Sequence, residues 1–231
     1  ATIGANGTEA VAESSAIANV GGVEIEINGN VSNNTENTNT DRCIVGGGDT
    51  DGRQNENPSA AEGMDICRAD VKGGVAIKIA DGVKLNNAIV GGGSSVGGGS
   101  CDVKGNVTVK IGDNAEIGGL VGGGTINANI RRAASADVGG VNIEIGNDVS
   151  CSKVGVSDGQ FIAGGKPYSS YTGYSPDGSH TCVKGDIKTI IGDRFSCAGW
   201  FYSGGLNMKQ NTSAAVDGNI STTLGNDCMV S

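Results

Sequence analysis

The sequence is poor in several residue types that common protein classes need. Only 3% of its 231 residues are aromatic, and it contains 4 leucines, 3 prolines and 1 histidine. One histidine and seven cysteines without a CxxC pair do not match the ligand pattern of a zinc site. No apolar run approaches the roughly 20 residues of a membrane-spanning helix, so we expect no membrane span. The net charge of −9 argues against nucleic acid as a partner.

Valine, isoleucine and glycine take the place of the missing types. The chain has 22 valines, 20 isoleucines and 42 glycines. Valine and isoleucine pack well in strands and fit helices poorly. The glycines lack the three-residue period that collagen requires. The composition therefore predicts an all-β protein with many tight corners.

Residues 103–124 contain the motif that recurs through the chain, VKGNVTVKIGDNAEIGGLVGGG. Val107, Val109 and Ile111 alternate with polar residues, which is the period of a strand with one buried face. The Gly-Asp-Asn corner at 112–114 contains residue types that tolerate positive φ angles. A short apolar run and three glycines complete the unit.

The motif occurs six times, with copies beginning at positions 20, 71, 103, 138, 183 and 216. A basic period of roughly 32 residues, lengthened by insertions, is typical of a solenoid. We therefore predict one all-β domain over residues 1–231, a β-solenoid of about six irregular coils. It should be right-handed, because crossovers between parallel strands usually are. Loop insertions are predicted at residues 32–43, 49–66 and 166–181. An alternative for residues 9–18 is a short helix that caps the first coil.

Residues at equal positions should form ladders if the copies stack in register. The inward ladder is apolar and consists of Val23, Val75, Val107, Val141, Ile187 and Ile220. The outward ladder contains two neighbouring pairs of opposite charge and consists of Glu26, Lys78, Lys110, Glu144, Ile190 and Thr223. Such exposed pairs specify register more than they stabilise the fold.

The seven cysteines are read as disulfide partners in a secreted protein. A bridge between Cys43 and Cys67 would close a loop of about 25 residues and stabilise the fold by roughly 3 kcal/mol. Cys151 and Cys197 hold the same position in adjacent repeats, about 4.8 Å apart in an in-register stack. The other pairings stay open. The candidate N-glycosylation sites, which also fit an extracellular setting, are Asn30, Asn33, Asn106, Asn211 and Asn219.

All eight aromatic residues lie between positions 161 and 202. Tyr168, Tyr171 and Tyr174 recur every three residues in a polar loop, and tyrosine provides a large contact area at low entropic cost. Together with Trp200 and Tyr202 they form a candidate patch for a surface glycan, a receptor or a neighbouring subunit. An equally weighted alternative is a loop that folds back over Trp200 and covers the solenoid side.

Acidic and amide residues recur at one corner of the repeat, at Asp81, Asp113, Asn147, Asp193 and Asn226. Calcium prefers several oxygen ligands, so this line is a candidate metal edge. Turn geometry explains a mixture of Asp and Asn more simply. We therefore assign no metal and no cofactor.

The phrase V-x-G-x-V-x-V-x-I-G-D/N followed by V-G-G-G resembles the glycine-rich repeats of secreted bacterial surface proteins and adhesins with β-solenoid folds. The resemblance covers most of the chain. It implies surface attachment or structural work, and it transfers no site residues. No catalytic motif accompanies it, so we expect no enzymatic activity.

The first and last residues fall at nearly the same phase of the repeat. Residues 2–6 (TIGAN) resemble residues 110–114 (KIGDN), and residues 223–227 (TLGND) hold the same phase. Exposed strand edges offer unpaired backbone groups to another chain, so we expect an extracellular filament of copies stacked head to tail. The alternatives are a monomeric adhesin that binds glycans, a carbohydrate-active β-helix enzyme and an ice-binding protein. A carbohydrate-active enzyme should show clustered Asp, Arg or Lys on adjacent coils. An ice-binding protein should show a regular Thr-x-Thr array, which this sequence lacks.

Overall fold

The computed structural model describes residues 16–31, 43–51, 67–96, 99–127, 133–152, 159–168, 178–208 and 212–231. These segments are all-β, as predicted, and contain no helix. None of them therefore offers a helix of the length and apolarity that crossing a bilayer requires. The strands, in chain order, are β1 (Ala16–Val20), β2 (Val23–Ile27), β3 (Cys43–Val45), β4 (Asp49–Asp51), β5 (Cys67–Val71), β6 (Val75–Ile79), β7 (Lys84–Val90), β8 (Ser94–Val96), β9 (Gly99–Ser100), β10 (Val103–Ile111), β11 (Glu116–Val121), β12 (Thr125–Asn127), β13 (Ala134–Ser135), β14 (Val138–Ile145), β15 (Ser150–Cys151), β16 (Phe161–Ile162), β17 (Lys166–Tyr168), β18 (Ser179–Val183), β19 (Ile187–Ile191), β20 (Ser196–Cys197), β21 (Phe201–Tyr202), β22 (Thr212–Val216), β23 (Ile220–Leu224) and β24 (Met229–Val230).

The strands form three parallel sheets in which each strand pairs with its equivalent in the neighbouring repeat. In the 12-stranded sheet, one face is the row β2, β6, β10, β14, β19, β23. The second face is the row β1, β5, β9, β13, β18, β22, and the long strands β10 and β14 reach both faces. An eight-stranded sheet and a four-stranded sheet, β4, β8, β12, β17, complete the fold. We use "rung" for the residues that one repeat contributes to these ladders.

The inward ladder has the predicted register. Val107 pairs with Val75 on one side and with Val141 on the other. The same register extends from Val23 to Ile220. The three central valines are at most 2% exposed. The alternation in the sequence therefore identified the buried face correctly.

The predicted outward charge pairs also form. Lys78 Nζ lies 3.1 Å from Glu26 Oε1, and Lys110 Nζ lies 2.7 Å from Glu144 Oε2. The hydrogen bond and the charge of Lys78 lower the pKa of Glu26. All four side chains are at least half exposed, so these pairs act on register more than on stability.

The main core lies between the first face of the large sheet and the eight-stranded sheet, where Val109 of β10 and Ile117 of β11 belong to one buried cluster. A smaller cluster, with Ile126 and Ala136, lies between the four-stranded sheet and the second face. The glycine triplets cross between these layers. A Cβ added at Gly93 would come within 3.0 Å of the Cys101 backbone, so the predicted tight corners are sites of close backbone approach.

The predicted bounds of the loop insertions are wrong, because residues at the ends of these ranges form strands. β4 and β17 fall inside the ranges 49–66 and 166–181, β18 begins inside the second range, and Cys43 begins β3. The inward residues of β4 and β8 are Thr50 and Ser95, which are buried and hydrogen-bonded to each other at 3.1 Å. Because these inward positions are polar, the strands lack the apolar alternation by which strands are recognised. The alternative of a helix over residues 9–18 is wrong for residues 16–18, because these residues form part of strand β1.

We expect Val107→Asp to destabilise the fold by about 3 kcal/mol or more, because it places an unpaired charge at a position with 0% exposure. Thr108→Asp, one residue along and facing outward, should change stability by less than about 1 kcal/mol. Thermal and denaturant melts of the two variants measure the difference. Equal losses would contradict the assignment of inward and outward faces.

Candidate functional site at the uncovered last rung

Large apolar side chains are exposed at one end of the chain. Among the described residues, eight large hydrophobic side chains are exposed, and six of them lie between positions 200 and 230. We call these six the terminal face: Trp200, Met208, Ile220, Leu224, Met229 and Val230.

Comparison with the preceding rung shows how unusual this exposure is. Ile220 pairs with Ile187, and Leu224 pairs with Ile191. The two residues of the preceding rung are 0% and 2% exposed, whereas Ile220 and Leu224 are 47% and 52% exposed. Equivalent core positions therefore change from buried to half exposed across a single rung.

Four residues of the terminal face lie on strands that have a described neighbour on one side only: Ile220, Leu224, Met229 and Val230. In the described part of the chain, β22, β23 and β24 each pair with one strand of the preceding repeat. The outer edge of this rung therefore presents backbone N–H and C=O groups together with core side chains. Such an edge is a template for another strand.

The predicted aromatic patch is brought together in part. Trp200 and Tyr202 make an edge-to-face contact with ring centroids 6.2 Å apart, and 48% of Trp200 is exposed. The Tyr168 side chain, Tyr171 and Tyr174 lie outside the described residues. Trp200 directly precedes β21, which in the described part of the chain pairs with β16 alone.

Three of the eight aromatic residues have a structural role that the sequence analysis missed. Phe161 stacks on Phe201 with centroids 4.7 Å apart, and Phe195 meets both rings edge-on. Phe161 pairs with Leu120 of the preceding rung, at a position that faces the core. The core role of Phe161 could therefore have been predicted from its position in the repeat, which is an inward-facing one.

The corner residues form a chain of hydrogen bonds from one rung to the next. The backbone N–H of Asp113 donates to Asp81 Oδ1 at 2.9 Å, and that of Asn147 donates to Asp113 Oδ1 at 2.7 Å. The backbone N–H of Asp193 donates to Asn147 Oδ1 at 2.8 Å, and that of Asn226 donates to Asp193 Oδ1 at 2.7 Å. These side chains act as acceptors for the next rung, as the turn interpretation requires.

A row of aspartates on the second face was not predicted. The backbone N–H of Asp102 donates to Asp70 Oδ1, and that of Asp137 donates to Asp102 Oδ1, each at 3.1 Å. All three aspartates are at most 9% exposed. A recurring Asp-Val just before the motif was the signal in the sequence. Each carboxylate also pairs with a cation, in the pairs Arg68–Asp70, Lys104–Asp102 and Lys184–Asp137.

This row is the clustering of acids and bases expected of the enzyme alternative, so its protonation matters. Burial by itself raises the pKa of Asp102, but the N–H of Asp137, the ammonium of Lys104 and the hydroxyl of Ser135 outweigh burial and hold the pKa below its usual value. A general acid at neutral pH needs a raised pKa. Asp102 is therefore suited to holding rungs together and unsuited to donating a proton.

The cysteines are brought together partly as predicted. Cys151 pairs with Cys197 in register, and both are buried, yet neither is in a disulfide. Parallel neighbours lie about 4.8 Å apart, whereas a disulfide needs a Cβ separation of about 3.8 Å. The hydrogen bond with Cys197 and burial raise the pKa of Cys151. The disulfide between them stays a prediction, and the side chains of Cys43 and Cys67 lie outside the described residues.

The candidate glycosylation sites are partly described. Asn30, Asn106 and Asn219 are exposed, as a glycan acceptor must be. Asn33 and Asn211 lie outside the described residues. Glycosylation therefore stays a prediction.

Comparison with family models, with curated proteins and with solved structures finds no significant match to this chain. The resemblance to bacterial surface proteins stays a prediction that depends on the repeat motif.

The hydrogen-bond chain at the corner leads to a test. We expect Asp113→Ala to lower the free energy of unfolding by about 1–2 kcal/mol, because the N–H of Asn147 loses its acceptor. Asp113→Asn should lose less than about 0.5 kcal/mol, since Asn147 shows that an amide oxygen serves equally. Melts with calcium and with EDTA should coincide for all three proteins. A calcium-dependent rise in Tm that Asp113→Ala removes would instead support a metal edge.

Proposed function

We propose that the chain winds as a right-handed β-solenoid and that copies stack head to tail into an extracellular filament through the terminal face. The observation that carries this proposal is the change in exposure from Ile191, at 2%, to its ladder partner Leu224, at 52%. A strand that continues the ladder would cover the core side chains that the last rung leaves exposed.

The solenoid is supported by the order of the strands. Six rungs follow one another on the first face, each paired in parallel with the equivalent strand of the next repeat. A chain that returns to the same position after each repeat must wind around an axis. The right hand follows from the strong preference of parallel crossovers.

Filament formation is supported by the kind of contact that the terminal face offers. The two ends of the stack are different surfaces, so a contact between them is heterologous. A heterologous contact continues from copy to copy, and it gives a fibre unless the rotation closes a ring. The extracellular setting is proposed from the exposed sequons and from the resemblance of the repeat to secreted surface proteins. The five cysteines of the described residues are free and do not support it.

A second candidate is adhesion to a surface glycan, and one observation favours it. Trp200 is the only tryptophan in the chain and is half exposed beside Tyr202. Exposed aromatic rings supply amphipathic contact surface of the kind that recognition sites use. Glycan binding by Trp200, with light scattering that reports monomers only, would favour the adhesin.

The filament proposal predicts opposite behaviour for two matched variants. Leu224→Asp should abolish polymerisation while the monomer melts within a few degrees of the wild type, because Leu224 is half exposed. Ile191→Asp, at the partner position in the preceding rung, should destabilise the monomer by about 3 kcal/mol or more. Negative-stain images and light scattering measure assembly, and thermal melts measure folding.

Deletion of residues 1–12 tests the opposite end of the stack. It should abolish polymerisation and leave β-rich circular dichroism largely intact. A wild-type protein that stays monomeric across concentration, salt and calcium would show that the filament proposal is wrong.

A further inference from the structure

Four successive corners, from the one at residues 79–82 onward, use the same three hydrogen bonds to the next rung. At the last described corner, the N–H of Gly225 donates to the carbonyl of Ile191 at 2.8 Å. The N–H of Asn226 donates to Asp193 Oδ1 at 2.7 Å. The N–H of Arg194 donates to the carbonyl of Asn226 at 2.8 Å. A rung is therefore joined to the next one by one carbonyl, one side-chain oxygen and one N–H.

The equivalent groups of the last rung are the Leu224 carbonyl, Asn226 Oδ1 and the N–H of Asp227. Within the described part of the chain, no rung lies beyond them. They require a strand that supplies two consecutive N–H donors and then a carbonyl. This requirement restricts backbone geometry, and a second requirement restricts sequence.

The second requirement is a glycine above each corner Asp or Asn. A Cβ added at the glycine would come within 3.0 Å of the side-chain oxygen of the rung below. At the first described corner, Gly29 stands in place of the Asp or Asn and has no side-chain oxygen. The glycine position of the rung above it is occupied by Ala80. The four positions that lie above an Asp or Asn are all glycine: Gly112, Gly146, Gly192 and Gly225.

A third requirement concerns the residue that ends the corner. Backbone φ is positive there in five rungs, at 55–67°. The residues in these rungs are Gly82, Asn114, Asp148, Arg194 and Asp227. A strand that continues the stack over Asn226 must therefore read apolar, glycine, any residue, and then a residue that tolerates positive φ.

In the segments outside the described residues, the pattern apolar, glycine, any residue, then Gly, Asn or Asp occurs once, at residues 3–6, Ile-Gly-Ala-Asn. The first described rung does not fit, because it has Asn28 at the glycine position. A Cβ there would meet Asn226 Oδ1, by the same contact that excludes a side chain at Gly225. The terminal rung thus discriminates between the two candidate partners.

We propose that residues 3–6 of a second copy form the rung above Asn226, an inference that rests on the proposed head-to-tail filament. Gly4 N–H donates to the Leu224 carbonyl, Ala5 N–H donates to Asn226 Oδ1, and the N–H of Asp227 donates to the Ala5 carbonyl. Ile3 then covers Leu224. Ala5 has no side-chain oxygen, so the next rung needs no glycine, and Asn28 of that second copy is accommodated there.

Gly4→Ala tests this contact, and Gly7→Ala is the matched control, because Gly7 corresponds in the repeat to Ala115. We expect Gly4→Ala to raise the critical concentration for polymerisation at least about tenfold, and Gly7→Ala to change it less than about twofold. Equal critical concentrations for wild type and Gly4→Ala would overturn the contact and leave the filament standing. A wild-type chain that forms no filament would overturn the filament itself.

A peptide experiment tests the same contact if the Gly4→Ala substitution disturbs folding of the full chain. A synthetic peptide of residues 1–12 is added to the full chain below its critical concentration, and hydrogen exchange of the Asp227 amide is followed. The peptide should slow this exchange, and the same peptide with Gly4→Ala should leave it unchanged. Equal protection by both peptides, or protection by neither, would show that residues 3–6 do not form the rung.

Discussion

In-register parallel pairing places like residues above like residues at the strand spacing of about 4.8 Å. Every position of the repeat must therefore be compatible with a copy of itself. Apolar residues such as Val107 meet this condition on the inside, and alternating charges such as Lys110 and Glu144 meet it outside. At the corner, a side-chain oxygen of one rung takes the N–H of the next, and glycine leaves room for it.

The row of aspartates shows how the stack accommodates like charges. Carboxylates on neighbouring rungs repel each other unless donors lie between them. Asp102 accepts the N–H of Asp137 and the hydroxyl of Ser135, and Lys104 pairs with its second oxygen. Asp70 and Asp102 each accept an N–H of the next rung, and all three carboxylates are paired with cations.

The same periodic contacts make the end of a stack different from its middle. A rung inside the stack has its N–H groups, carbonyls and apolar side chains covered from both sides. The last rung has the same groups with one side uncovered, as the exposure of Ile220 and Leu224 shows. The proposed filament would need no separate binding device, because the surface that joins rungs within a copy would also join copies.

The sequence by itself determined the inner and outer faces, the register and the turn at each corner. Alternation over a few residues reveals which side of a strand is buried, so Val107 and Thr108 were assigned correctly. Tertiary structure alone decided which hydrogen bonds join the corners of neighbouring rungs. Asp81 and Asp113 lie 32 residues apart, and Asn147 and Asp193 lie 46 apart, so their contacts depend on the path of the intervening chain. Short polar strands such as β4 and β8 were likewise invisible, because hydrogen bonding to a neighbouring rung, and no apolar pattern, holds them in the sheet.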